Sequence, residues 1–162
     1  MKTPEIRIES IEAMHIIYIR FKGTYKEFRK NSRALYNKLF TYAQRKNLIN
    51  PEQTKVLTIY HDNPYITAES NLRTSVAMIV PNTHIVDETE DICTLTIAGK
   101  FYIGRFNLTA KEYDSAWKYM YCDSLFQSQH TPRDSFPFEM YITEPPKNFI
   151  DSSITEIYIP IE

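Results

Sequence analysis

At 162 residues the chain is most simply one domain, long enough to bury a core of its own. Its 19 basic and 20 acidic residues leave a formal net charge of -1, so no long-range field favours nucleic acid or an anionic membrane. Cys93 and Cys122 are too few for a disulfide framework and read as free thiols, the N-terminus does not read as a signal peptide, and no apolar run approaches the roughly 20 residues a bilayer span needs, so a cytoplasmic setting is expected.

In chain order, Glu5–Glu9 alternates and reads as a short strand, and Met14–Phe21 reads as a second, closed by Gly23. From Tyr25 to Lys46 the period changes. Phe28, Leu35, Leu39 and Tyr42 recur at helical steps, with Tyr36, Phe40 and Ala43 widening the stripe and basic residues filling much of the remainder. Asn50-Pro51 is the expected stop. Val56–Tyr60 is a strand that runs into the turn His61-Asp62-Asn63-Pro64. Thr74–Val80 is another strand, stopped by Pro81, and an acidic irregular segment follows over Asn82–Asp91.

The pattern then begins again. Ile92–Ile97 and Phe101–Asn107 read as strands around Ala98-Gly99. Thr109 stands three residues before Glu112, the capping-box spacing, ahead of a helix carrying Tyr113, Ala116, Trp117, Met120, Tyr121 and Leu125. A polar loop, Gln127–Ser135, leads to the strand Phe136–Ile142, and after a Pro-containing connection Ile154–Ile161 is the last strand. Arg20-Phe21 matches Arg105-Phe106 at an offset of 85, and Tyr60 matches Tyr141 at an offset of 81. Two ordered blocks of matches indicate an internal duplication. Each half is expected to run strand, strand, helix, strand, strand, with the halves related by a pseudo-twofold axis and a ligand groove where they meet.

Glu139 is the residue that does not fit a plain core. Alternation places Phe138, Met140 and Ile142 on one face of its strand, and Glu139 with Tyr141 on the other. A carboxylate beside a phenol in mid-sheet is costly unless it is paired, hydrated or used. It reads either as the partner of Arg20 or Arg105, or as the charge that meets a ligand. Its counterpart in the first half is Thr58, so the acid is present in one half only. Aromatic residues make up 14% of the chain, enough either to fill a core or to wall a pocket around that acid. Trp117 reads as core or pocket. The four histidines lack ligand spacing, and neither a Ser-His-Asp signature nor a Gly-rich phosphate loop is present, so no metal and no cofactor is expected. Direct DNA binding is not expected, and the basic first helix reads mainly as a solvated face.

Three stretches resemble the GyrI-like family, which comprises bacterial DNA gyrase inhibitors and the effector-binding domains of AraC-type and multidrug-sensing regulators. Val56–Pro64 resembles its strand and Asp-Asn-Pro turn, Leu72–Pro81 the strand after it, and Pro137-Phe138-Glu139-Met140-Tyr141 its second-half Phe-Glu-x-Tyr strand. Gly23-Thr24-Tyr25 departs from the family's Gly-Pro-aromatic, and Ser75 stands where the family often has an acid. The resemblance implies an α+β fold of duplicated strand-strand-helix-strand-strand units around a central ligand cleft, with half-repeats of about 1–81 and 92–162. It also implies that Glu139 is the central polar group, taking an apolar or cationic small molecule. Tyr141, Tyr60, Trp117, Tyr18, Tyr158 and Tyr121 are the expected aromatic walls. Two alternatives accompany this reading. One is hydrolysis of a reactive small molecule with Glu139 as the catalytic residue, and the other is a gyrase-directed interaction. The implied partners are thus a small-molecule ligand, DNA gyrase, or a fused DNA-binding domain.

Overall fold

The computed structural model describes residues 1–52, 54–81, 91–144 and 150–162. Two compact units make up the chain, Ala13–Ala98 and the combination of Met1–Glu12 with Gly99–Glu162. In the first unit β1 (Glu5–Lys22, which enters this unit at Ala13) precedes α1 (Tyr25–Arg45), β2 (Val56–Tyr60) and β3 (Arg73–Ile79). β3 pairs antiparallel with β1 on one side and β2 on the other. Residues alternate faces along a strand and cross-strand partners share a face. Ile17, Ile19, Val76 and Met78 therefore form one apolar surface, which Phe28, Leu39, Tyr42 and Ala43 of α1 cover. Each large side chain buried this way contributes roughly 1.5–3 kcal/mol.

Both ends of α1 are set locally. Thr24 accepts the Glu27 backbone N–H at 3.1 Å while the Glu27 carboxylate accepts the Thr24 N–H at 3.1 Å, a complete capping box. The helix stops at Asn47, whose φ of 57° is left-handed, before Asn50-Pro51 is reached. The Asn47 N–H bonds the Gln44 carbonyl at 3.1 Å and the Leu48 N–H bonds the Ala43 carbonyl at 2.9 Å. That is the Schellman pattern, with Leu48 buried behind it. Phe40, expected on the core stripe, is 42% exposed. It lies one turn past half-buried Tyr36, at the edge where the stripe turns to solvent.

In the second unit β4 (Cys93–Thr109, which enters this unit at Gly99) leads to α2 (Tyr113–Lys118), which continues as π-helical turns over Tyr119–Leu125. β5 (Phe138–Tyr141) and β6 (Ser152–Ile161) follow. β6 pairs antiparallel with β4 and β5, and Tyr102, Phe106, Leu108, Ile157, Ile159 and Ile161 pack against Ala116, Met120 and Leu125. Gly104 permits that approach, because a Cβ there would stand 2.5 Å from the Met120 sulfur. Thr109 ends β4 instead of capping α2. Its N–H and hydroxyl both donate to Glu112, at 2.9 and 3.0 Å, and the helix opens at Tyr113.

The structure revises the expected halves in two respects. The paired short strands at 5–9 and 14–21 are one strand, β1, and those at 92–97 and 101–107 are one strand, β4. No Gly or Pro interrupts β1, and Gly99 is absorbed inside β4 at a φ of 106°. Each order is thus strand, helix, strand, strand. The grouping also differs from 1–81 and 92–162, since residues 1–12 belong with 99–162. The ladders nevertheless follow the sequence offsets. Tyr18 faces Ala77 as Ile103 faces Tyr158, and Tyr60 faces Thr74 as Tyr141 faces Thr155. The acidic stretch 82–90 and the connection 145–149 lie outside the described residues. Among the described residues no helix is long and apolar enough to cross a membrane.

Candidate functional site

The geometry around Glu139 is built by α2 and β5. Glu139 is 3% exposed and sits opposite Ile157 on the helix-covered face of the β5–β6 ladder. Trp117, in the α2 turn above, donates its Nε1–H to Glu139 Oε1 at 2.6 Å. Tyr141, two residues along β5 and on the same face, donates its hydroxyl to Oε2 at 2.8 Å. Tyr121 stacks on Trp117 with centroids 6.1 Å apart and planes 20° from parallel, and is 38% exposed. Tyr113 adds a further phenol, bonded to Thr155 at 2.9 Å. Burial pushes the Tyr113 hydroxyl up to about 12, against the Thr155 bond and with the Glu139 charge adding to the rise.

Four of the seven expected ligand residues, Glu139, Tyr141, Trp117 and Tyr121, are therefore together. Tyr158 is not among them. It pairs with Phe138, which puts it on the opposite face of the ladder from Glu139. There its ring stacks on Phe138 at 4.5 Å, and its hydroxyl donates to Glu156 at 3.0 Å. Tyr18 and Tyr60 belong to the other unit and lie on opposite faces of their sheet, Tyr18 opposite Ala77 and Tyr60 opposite Thr74. Tyr60 meets Tyr25 edge to face at 5.8 Å, while Tyr18 lies 5.7 Å from the His61 ring and under Arg20 at 5.9 Å. The Glu139 arrangement has a neutral parallel in that unit. Tyr36 on α1 bonds Thr58 on β2 at 3.0 Å, at positions 81 residues before Trp117 and Glu139.

Two polar centres were not anticipated from the sequence. Glu156, 3% exposed, takes a two-pronged contact from Arg7, at 2.6 and 3.1 Å, with Arg105 at 3.8 Å. Burial alone would raise the Glu156 carboxyl, but the bonds from Arg7 and Tyr158 and the two guanidinium charges outweigh it and hold the group below its ordinary range. Arg105, weighed as a partner for Glu139, thus lies near this other acid. In the other unit His61 Nε2 lies 2.7 Å from Ser75 Oγ. Burial, reinforced by the Arg20 and Arg73 charges and opposed by Asp62, lowers the His61 imidazole to about 4. Asp62 itself is engaged by Arg73 through a two-pronged contact at 2.8 and 2.9 Å.

Comparison with known proteins places this geometry in context. A family model described as a GyrI-like small molecule binding domain matches residues 4–162. DNA gyrase inhibitor 2 of Dickeya dadantii (strain 3937) is 27% identical over 111 residues, covering 67% of this chain and 68% of that protein. A chain of the EcmrR–DNA complex superposes with a TM-score of 0.76 at 15% identity, over 100% of this chain, which spans 59% of that chain's length. SAV2435, solved bound to tetraphenylphosphonium, superposes with a TM-score of 0.62 at 12% identity, over 98% of this chain and 94% of its own. At such identities the structural likeness speaks for the fold.

Proposed function

The chain belongs to the GyrI-like family of small-molecule-binding domains, and we propose that it recognises an apolar, cationic small molecule through Glu139. The observation that carries this reading is the buried carboxylate held by two aromatic donors, Trp117 Nε1 and the Tyr141 hydroxyl. Neutral donors orient a carboxylate and stabilise its charge without cancelling it. A cation brought to about 5 Å from it gains about 3 kcal/mol at an effective dielectric constant of about 20. The faces of Trp117, Tyr121 and Tyr141 add apolar area and ring quadrupoles, which also favour cations. A fold neighbour solved with a lipophilic phosphonium supports this ligand class.

The matching ladder registers and the Tyr36–Thr58 and Trp117–Glu139 contacts support an internal duplication in which one copy carries the charge and the other a neutral hydroxyl. In this reading the domain is the capturing or sensing part of a drug-protection or transcription-regulating system. A thermal-shift titration with tetraphenylphosphonium and with an uncharged aromatic of similar size tests it. Ligand that binds only the folded state raises Tm by mass action, by about 2.7 kcal/mol of stability at a hundredfold excess over Kd. Wild type should respond to the cation, and Glu139→Gln should lose most of that response. An equal response in both proteins would move the site away from Glu139.

A further inference from the structure

The face of the second unit turned away from α2 carries an acid that the reading above leaves without a role. Glu156 is almost fully withdrawn from water, its side chain 4% exposed, whereas the side chain of Arg7, its principal partner, is 41% exposed. Nη1 and Nη2 of Arg7 meet the two carboxylate oxygens at 2.6 and 3.1 Å, the forked arrangement that suits a planar guanidinium better than an ammonium. The Tyr158 hydroxyl completes the receptor, donating to Glu156 Oε1 at 3.0 Å and lying 3.3 Å from Arg7 Nη2. Its ring is fixed against Phe138, and Phe101 meets both rings edge-on at 5.6 and 5.9 Å, so the acid and the phenol sit on a rigid base. Arg7 comes from a different kind of place. Residues 5 to 10 of β1 are exposed, and there Glu9 adds a contact to the guanidinium, at 3.2 Å.

The two partners therefore differ in what they lose on separating. Arg7 can turn into water and be solvated there, while Glu156 cannot follow and requires a replacement cation. Arg105, 3.8 Å away, is beyond good hydrogen-bonding distance and does not reproduce the fork. We propose that Glu156 and Tyr158 form a second ligand site, separate from Glu139, that takes an alkylguanidinium, and that Arg7 is its resident, exchangeable occupant. A ligand entering it would have the shape of the arginine side chain it displaces, and would release the first strand segment from the buried acid. The rigid half of the site is intrinsic to β5 and β6, so it persists when Arg7 is absent.

Chemical complementation tests the proposal, with methylguanidinium as probe and the full chain as the protein. Arg7→Ala should melt several degrees below wild type. Millimolar methylguanidinium should then raise its Tm saturably, while leaving the Arg7→Ala/Glu156→Gln double variant unraised and raising wild type, where Arg7 competes for the site, only at much higher concentration. The Glu139→Gln variant should resemble wild type in this assay, which separates this site from the one proposed above. No rise in Arg7→Ala, or an equal rise in the double variant, would overturn the proposal. Should Arg7→Ala fail to fold, Arg7→Lys keeps the charge without the fork and should show the same rescue. In wild type, saturating methylguanidinium should shift the Arg7 Nε–Hε resonance toward its solvent-exposed position, and a resonance unmoved across the titration would also overturn it.

Discussion

The contact between Trp117 and Glu139 lends itself to a quantitative test. Trp117→Phe keeps an aromatic ring on α2 but removes the donor that meets Glu139 at 2.6 Å. Hydrogen bonds to charged groups contribute about 1.5–3 kcal/mol, and the loss is felt fully when the acceptor is as buried as Glu139, which is 3% exposed. Shrinking an indole to a phenyl in a packed site adds about 1 kcal/mol of lost contact. The expected cost is about 3 kcal/mol, or a fall in Tm of roughly 6–12 °C for a chain of this length. Trp117 is the only tryptophan, so the variant loses its fluorescent reporter and unfolding in urea is best followed by far-UV circular dichroism. The midpoint should fall with the slope unchanged. A double-mutant cycle with Glu139→Leu isolates the bond from the packing, and a coupling of about 2 kcal/mol is expected. A coupling below about 0.5 kcal/mol would refute the reasoning, because residues that do not interact add to within that margin.

Asn47→Ala should cost about 1 kcal/mol, since alanine disfavours the left-handed φ of 57° that ends α1, while Asn47→Gly should be neutral or slightly stabilising; paired urea melts decide this. His61 predicts a pH dependence. Its imidazole is lowered from 6.5 to about 4 by burial, so between those values the unfolded chain binds a proton that the folded chain excludes. Stability should be at its full value above pH 6.5 and fall as pH drops toward 4, and His61→Gln should flatten the slope between pH 6.5 and 5. An unchanged slope in that variant would assign the acid sensitivity to other groups.

The order of elements was legible because it rests on local signals. The change of period at Tyr25, the turn at His61–Pro64 and the alternation through Phe138–Tyr141 each need only a few neighbouring residues. The same alternation put Glu139 and Tyr141 on one face, and they share an oxygen-to-oxygen contact of 2.8 Å. Some misses were also local. Thr24-Tyr25-Lys26-Glu27 has the capping-box spacing and Asn47 is the left-handed helix stop, whereas Thr109 and Asn50-Pro51 carry the stronger sequence signals and bound neither helix. The breaks expected within β1 and β4 had no breaker residue in β1 and a glycine in β4 that the strand accommodates.

Tyr158 was out of reach for a different reason. Which face of β6 it occupies depends on the register against β5, and a slip of one residue would exchange the faces. Periodicity along a single strand carries no register. The Arg7–Glu156 pair is still less accessible, because its members stand 149 residues apart and neither looks unusual in its own neighbourhood. Trp117 was found as an aromatic on the correct helix, but that its indole N–H reaches the acid follows only from how α2 lies on the sheet.

The measurement that bears most directly on Glu139 as the ligand-recognising group is the Kd for tetraphenylphosphonium by isothermal titration calorimetry, in wild type and Glu139→Gln. Loss of about 3 kcal/mol of Coulomb attraction should weaken binding about a hundredfold while leaving the fold intact by circular dichroism. Equal Kd values in two folded proteins would contradict the central role assigned to Glu139.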